Sequence, residues 1–377
     1  MSKNLLIYAG KEAFSQIQEK GLDPESIAVI AGAAGGPKWL ILDGLDRAIF
    51  FNWLKSSMGQ NQIIHLVGAS IGAWRFAAIC QDDGKGSDKV AHDILRDAYI
   101  RQSYTAYPSG PTALDVTNEG IKILDAYLGN GGINRILTNK HMRLSVLTNR
   151  SSGPFVYDTK YLLTLSMVLC GIANTLSRSS LKLFFSRTLF HDPRDLPPFL
   201  NIYDTVPTEK IHLTANNLQM AILASGSIPV VMEGVDKIPD TPPGTYFDGG
   251  IVDYHVNIPF GPFAPFENPD RKIVLFPHYL HRIIPGWFDK LYPFKKSFRK
   301  PNSESQKNVL MLCPSPEFVE RLPYGKLPDR KDFRRFKDDE GGRIKYWEKV
   351  ARESQILGDE FLEIIEKDNI RDIVRPF

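Results

Sequence analysis

The chain alternates short apolar runs with longer stretches in which apolar residues recur every three or four positions. Ile27–Ala31 (IAVIA) is apolar at every position, which suits a strand buried on both faces. It runs into Gly32, Ala33, Ala34, Gly35 and Gly36, then Pro37. Proline is at home in the first turn of a helix, where its missing N–H costs nothing. Trp39, Leu40, Leu42, Leu45, Ile49 and Trp53 follow at helical spacing and predict a helix from Pro37 to about Lys55. A second apolar run (Ile63, Ile64, Leu66, Val67) ends at Gly68, and a helical pattern begins after Gly72. Two strand, loop, helix units in succession predict an α/β fold whose sheet is mainly parallel, with helices on its faces.

Farther along, Asp82–Gly86 reads as a polar turn, Val90–Tyr104 and Glu119–Leu128 as helices, and Leu144–Leu147 as a short strand. Asn217–Leu223 reads as a helix ending in Ala224-Ser225-Gly226-Ser227-Ile228-Pro229. Tyr246-Phe247-Asp248-Gly249-Gly250 then places a carboxylate at the end of an aromatic-rich strand. Ile344, Trp347, Val350, Leu357, Phe361 and Ile364 mark an amphipathic C-terminal helix. There are no internal repeats and no clear linker. The expected division is a main domain over 1–260 and a C-terminal extension over 261–377 packed on it.

With 377 residues, 43% hydrophobic and 24% charged, the chain reads as an ordinary soluble globular protein able to bury a large core. A net charge of +3 says little, but its distribution says more. Residues 159–191 hold no acid, and Lys160, Arg178, Lys182 and Arg187 are interleaved with Leu181, Leu183, Phe184, Phe185, Leu189 and Phe190. Residues 281–300 mix six Lys or Arg and one Asp with Trp287, Phe288, Tyr292, Phe294 and Phe298. Such stretches suit an anionic lipid surface, with binding that weakens as salt rises, and also suit a helix covering the core or a solvated loop. No nucleic-acid module accompanies them, so nucleic acid is not an expected partner. Cys80, Cys170 and Cys313 lie far apart and form neither a disulfide framework nor a metal-ligand set, which points to a reducing compartment. The apolar run Leu5–Ala9 is too short for a secretory signal and Tyr161–Leu176 too short and polar for a membrane span. The expected location is the cytoplasm, with peripheral membrane contact.

The chemistry gathers at Gly68-Ala69-Ser70-Ile71-Gly72. A serine on a sharp strand-to-helix turn needs small neighbours two residues away on either side, because larger ones would strike the adjoining strand and helix. Ser70 would then sit at a helix N-terminus, where backbone N–H groups favour developing negative charge. A nucleophilic serine needs a base, and Asp248 is one candidate. A late histidine (His255, His278 or His281) is another, and would make a Ser-His-Asp α/β-hydrolase.

Gly35-Gly36-Pro37-Lys38 after its strand, the Ser70 turn, Ala224-Ser225 with Pro229, and Asp248-Gly249-Gly250 together resemble the patatin-like phospholipase family over about Ile27 to Asp253. The resemblance implies a three-layer α/β sandwich and a lipid acyl hydrolase with a Ser–Asp dyad. Ser70 matches the nucleophile and Asp248 the base, the Gly35-Gly36 loop supplies the oxyanion hole with Lys38 beside it, and no metal or cofactor takes part. The implied substrate is a phospholipid or another acyl ester. The family's first loop usually reads Gly-Gly-Gly-x-Lys/Arg-Gly, whereas Ala34 and Trp39 stand here at the first and last of those positions. Ala34 can still donate its N–H and Pro37 cannot, while the Trp39 ring is expected to alter loop packing and narrow the acyl channel. Other readings are a thioesterase or acyltransferase on the same site. A malonyl-type transacylase would draw on Arg75 to bind an acyl carboxylate. A non-catalytic binding module would have no need of both Ser70 and Asp248.

Overall fold

A computed structural model describes every residue except 1–2, 58, 60, 82–87, 108, 130, 153–159, 202–203, 262–271, 292–300 and 302. The turn expected at Asp82–Gly86 lies outside the described residues, as do Tyr292, Phe294 and Phe298 of the second basic aromatic stretch.

The chain folds as α/β around one mostly parallel sheet with helices around it, consistent with a three-layer sandwich. Among the described residues eleven strands take part: β1 (Leu5–Ala9), β2 (Ile27–Gly32), β3 (Ile64–Ala69), β4 (Met142–Ser151), β5 (Phe185–His191), β6 (Thr208–His212), β7 (Val235–Asp236), β8 (Thr245–Asp248), β9 (Ile273–Pro277), β10 (Val309–Pro314) and β11 (Arg375–Pro376). They run in the order β11-β1-β10-β9-β2-β3-β4-β5-β6, with β8 on β4 and β7 on β8. Every residue of β2, β3, β9 and β10 is buried, as continuous apolar runs covered on both faces require.

The sheet crosses the division expected at residue 260. Strands β9 and β10, both beyond it, pair in parallel with each other, and β9 pairs with β2 while β10 pairs with β1. The C-terminal residues therefore complete the central sheet as well as packing on it. Their expected single helix is two, Glu340–Glu353 and Gln355–Glu366, parted at Ser354, whose hydroxyl accepts a hydrogen bond from the Gly44 N–H.

The stretch expected as one helix from Pro37 is helical throughout but irregular. It is a 3-10 helix over Gly36–Leu42, α-helical over Asp43–Asp46, π-helical over Arg47–Trp53 and α-helical again over Leu54–Ser57. Burial explains how this is tolerated. Trp39–Leu42, Leu45, Ala48–Phe51, Trp53 and Leu54 are all buried, so the segment has apolar contacts all round and no single face has to be kept in register.

The basic segment 159–191 divides into a helix (Lys160–Leu176), a 3-10 turn (Arg178–Leu183) and β5. Two of its cations are tied down inside the protein. Arg187 is fully buried and bonds Asp253 (Nε to Oδ2, 2.6 Å) and Asp204 (Nη2 to Oδ2, 2.6 Å). Arg178 donates to the Val252 carbonyl at 2.7 Å and pairs with Asp289 at 3.3 Å. Their acidic partners lie 17 to 111 residues away along the chain, so the local charge pattern could not reveal them. No helix among the described residues is long and apolar enough to cross a membrane.

Candidate active site

Strand β4 brings the two halves of the site together. Its first six residues pair in parallel with β3, ending at Ala69 opposite Leu147. Its next three pair antiparallel with β8, where Asp248 stands opposite Thr148. The ends of β3 and β8 therefore abut on neighbouring residues of one strand, and Ser70 and Asp248 extend from those ends. The Ser70 hydroxyl donates to Asp248 Oδ2 at 2.8 Å, and both residues are 6% exposed.

The turn is as sharp as its spacing predicts. Ser70 has φ 56° and ψ −130°, a region costly for a residue with a side chain, and the helix Ile71–Ile79 starts directly after it. A Cβ on Gly72 would stand 2.1 Å from the Gly32 carbonyl oxygen, and one on Gly68 would stand 2.4 Å from the Ala73 nitrogen. Ser225, in the helix Leu218–Gly226, locks the turn to the sheet. Its Oγ accepts from the Ser70 N–H at 2.8 Å and donates to the Leu147 carbonyl at 2.7 Å.

Asp248 is held on every side. Its Oδ1 accepts from the Gly250 N–H at 2.6 Å, and its own N–H donates to the Ser227 carbonyl at 2.8 Å. Asn149 Nδ2 donates to the carbonyls of Asp248 (2.7 Å) and Gly249 (3.1 Å). Burial raises the carboxyl pKa to about 6. The hydrogen bonds from Ser70 and Gly250 and the charges of Arg330 and Lys290 oppose the rise. The result is a carboxylate more basic than a free one and still ionised near neutral pH.

The glycine loop after β2 lies against this centre. A Cβ on Gly250 would stand 2.7 Å from the Ala34 Cβ, and Gly72 packs on Gly32 and Ala33. The Ala34 N–H, expected to be available as a donor, is used by the Tyr254 carbonyl at 2.9 Å. Those of Gly35 and Gly36 bond no described residue. The Ala34 carbonyl accepts from the Tyr279 hydroxyl at 2.6 Å. That hydroxyl accepts in turn from His255 Nε2 at 2.9 Å, because His255 Nδ1 is occupied as acceptor for the Ile284 N–H at 2.8 Å. Since C=O and N–H point oppositely across a planar peptide, anchoring the Ala34 carbonyl fixes the direction of the Gly35 N–H. Gly35 has to be glycine here, since a Cβ would sit 2.6 Å from the Tyr279 hydroxyl.

The three late histidines do not reach the dyad. His255 and His278 are fully buried, and burial lowers both pKa values, that of His278 to about 3. His281 is exposed. Among the described residues none of the three bonds Ser70 or Asp248. Arg75 is also fully buried, with Nε 3.1 Å from Asp46 Oδ2, so it cannot meet an acyl carboxylate. Trp39 is 1% exposed and packs edge-on against His92 and Tyr99, so its bulk is taken up in the core.

Cations gather around the dyad. Lys38 Nζ lies 5.7 Å from the centre of the Tyr279 ring, and Lys290 Nζ lies 3.3 Å from that of Tyr254. Arg330 Cγ would be 3.7 Å from a Cβ on Gly36. Burial lowers the Lys38 pKa to about 8 and that of Lys290 to about 6, and the neighbouring cations lower both further. Reading the sequence singled out Lys38 and missed Asn149, Tyr279, Lys290 and Arg330. Asn149 gave no clear signal, since it stands in a strand that also holds Arg143, Ser145, Thr148, Arg150 and Ser151. Among the described residues no group of His, Cys, Asp or Glu is arranged to hold a metal ion. Comparison with known protein families, curated proteins and solved structures finds no match.

Proposed function

We propose that the chain is a lipid acyl hydrolase of the patatin-like kind, working through a Ser–Asp dyad and an acyl-enzyme. The observation that carries this reading is the 2.8 Å hydrogen bond from the hydroxyl of a strained, glycine-flanked serine to a buried carboxylate of raised pKa.

In the proposed reaction Ser70 Oγ attacks the ester carbonyl and its proton passes to Asp248 Oδ2. The oxyanion that forms faces the N–H groups of Gly35 and Gly36, each fixed donor lowering the barrier by about 3 kcal/mol. Asp248 hands the proton to the departing alcohol, leaving the acyl group on Ser70. Water then gives a proton to Asp248 while its oxygen attacks the acyl-enzyme. The fatty acid leaves, Ser70 takes the proton back, and both residues return to their starting state.

A fluorophosphonate probe is expected to label wild-type protein at Ser70 and to leave Ser70→Ala unlabelled. Lipid profiling of a phospholipid mixture is expected to show free fatty acid with the wild type only. Fatty acid released equally by Ser70→Ala would overturn the assignment.

The helix Lys160–Leu176 supports an interfacial substrate. Tyr161, Leu165, Val168, Leu169, Ile172 and Leu176 recur along one face and are all exposed, Leu176 to 85%. With Arg178 and Arg187 held in internal ion pairs, this face is apolar where a basic one was expected. It joins the site through the 3-10 turn Trp287–Leu291, where Asn174 donates to Asp289 at 2.9 Å. Replacing both Leu165 and Ile172 by Asp is expected to weaken vesicle binding at least tenfold in a sedimentation assay, since each buried aliphatic side chain is worth about 2 kcal/mol. Unchanged binding would remove this face from the lipid contact.

A further inference from the structure

Lys38, Lys290 and Arg330 come from three separate parts of the chain, and the latter two lie outside the segment that resembles a known family. They nevertheless lie close enough to act on one another, since the charges of Lys38 and Arg330 both bear on Lys290. Lys38 and Lys290 lie against Tyr279 and Tyr254, the two residues that hold the Ala34 peptide from its two sides. Tyr254 also packs beside Gly250, where a Cβ would stand 3.4 Å from its ring. The Arg330 stem passes over Gly36. None of the three side chains forms an ion pair or hydrogen bond with a described residue.

The acids nearby are already engaged. Asp248 accepts from Ser70 and Gly250, and Asp329 is paired with Lys326 at 3.0 Å. Burial first, and then the charges of Lys38 and Arg330, lower the pKa of Lys290, and the nearby carboxylate of Asp248 only partly offsets this, as that of Asp329 does for Lys38. A bound dianion would offset the repulsion and favour the charged form of Lys290. A guanidinium with two ammonium groups suits the oxygens of a phosphate better than a single carboxylate.

We propose that Lys38, Lys290 and Arg330 form a receptor for the phosphate of the substrate, and that the acyl ester taken by Ser70 carries a phosphate headgroup with no cation of its own. A choline or ethanolamine headgroup would bring a like charge against the cluster, which is the repulsive element of the selectivity. The headgroup assignment rests on the hydrolase reading, whereas the phosphate receptor does not.

The test has two arms on the full chain. In the first, inorganic phosphate alone is titrated while the melting temperature is followed, since a ligand that binds only the folded state stabilises it by mass action. Wild type is expected to gain stability, and Lys290→Met and Arg330→Gln to lose at least half of that gain. Arg330 is exposed, so Arg330→Gln keeps the test valid should Lys290→Met fail to fold. In the second arm, vesicles of diacylglycerol phosphate and of its choline ester are compared for fatty-acid release. The phosphate form is expected to be cleaved at least tenfold more efficiently, with the ratio falling about tenfold in Arg330→Gln.

Equal stabilisation of wild type and Arg330→Gln by phosphate would overturn the receptor. Equal cleavage of the two vesicles would overturn the headgroup assignment and leave the hydrolase standing. A phosphate effect that depends on these cations, with no fatty acid released from either vesicle, would support the receptor and reject the hydrolase.

Discussion

Asp248→Asn is expected to lower ester hydrolysis on the order of 10⁴-fold while making the protein more stable above pH 6. The loss follows from removing the group that, among the described residues, is bonded to the Ser70 hydroxyl and can take its proton. The gain follows from the raised pKa. A carboxyl at about 6 in the folded chain, against 3.8 as its ordinary value, holds its proton more tightly folded than unfolded. That contribution is fully present below about pH 4 and is lost as pH rises through 6, so the ionised group costs the fold about 3 kcal/mol near neutrality. Asparagine carries no charge, can accept from the Gly250 N–H with its carbonyl, and can offer its amide to Ser70. Denaturant titrations of both proteins at pH 4 and pH 8 check this: the difference should be near zero at pH 4 and about 3 kcal/mol in favour of the variant at pH 8. Wild-type kcat/KM should rise across pH 6 as the carboxylate ionises. A variant that keeps full activity would refute the dyad.

Gly249→Ala is expected to disable the site by a different route. A Cβ there would stand 2.1 Å from the Leu147 carbonyl oxygen, a backbone atom in the middle of the sheet that cannot move aside cheaply. The same carbonyl accepts from Ser225, which in turn holds the Ser70 N–H. One methyl group therefore pushes β8 away from β4 and loosens the anchor of the nucleophile together. A loss of about 3 kcal/mol in stability is expected, along with loss of fluorophosphonate labelling at Ser70 in whatever protein remains folded. Gly341→Ala, at an exposed position in the first turn of the helix Glu340–Glu353 with only an Asp339 carboxylate oxygen 4.0 Å away, should leave labelling intact and serves as the comparison.

The parts of this protein that could be read in the sequence are those governed by neighbours in the chain. The parallel strands β2 and β3 announce themselves because burial on both faces leaves no polar position in Ile27–Ala31, and the turn at Ser70 because its geometry excludes side chains at 68 and 72. What escaped depends on distant residues. Arg178 and Arg187 read as surface cations because Asp204, Asp253 and Asp289 lie elsewhere in the sequence. The Ala34 N–H looked free because its acceptor is Tyr254. The helix from Pro37 looked regular because periodicity records which residues are apolar and not that they are covered on every side. That the sheet would cross residue 260 escaped for the same reason, since β9 finds its partner in β2 far back along the chain.

The ten-residue strand β4 has one more consequence, for the order in which the molecule comes to life. Ser70 and Asp248 are 178 positions apart, and the strands that carry them pair with different stretches of that one strand. During synthesis the serine therefore emerges long before its partner has been made, and a nascent chain halted short of residue 248 lacks the carboxylate that accepts from the Ser70 hydroxyl. On the proposed reading, reactivity would wait for that late step, after most of the polypeptide has been committed, so truncated products arising in the cell would leave the lipids around them intact.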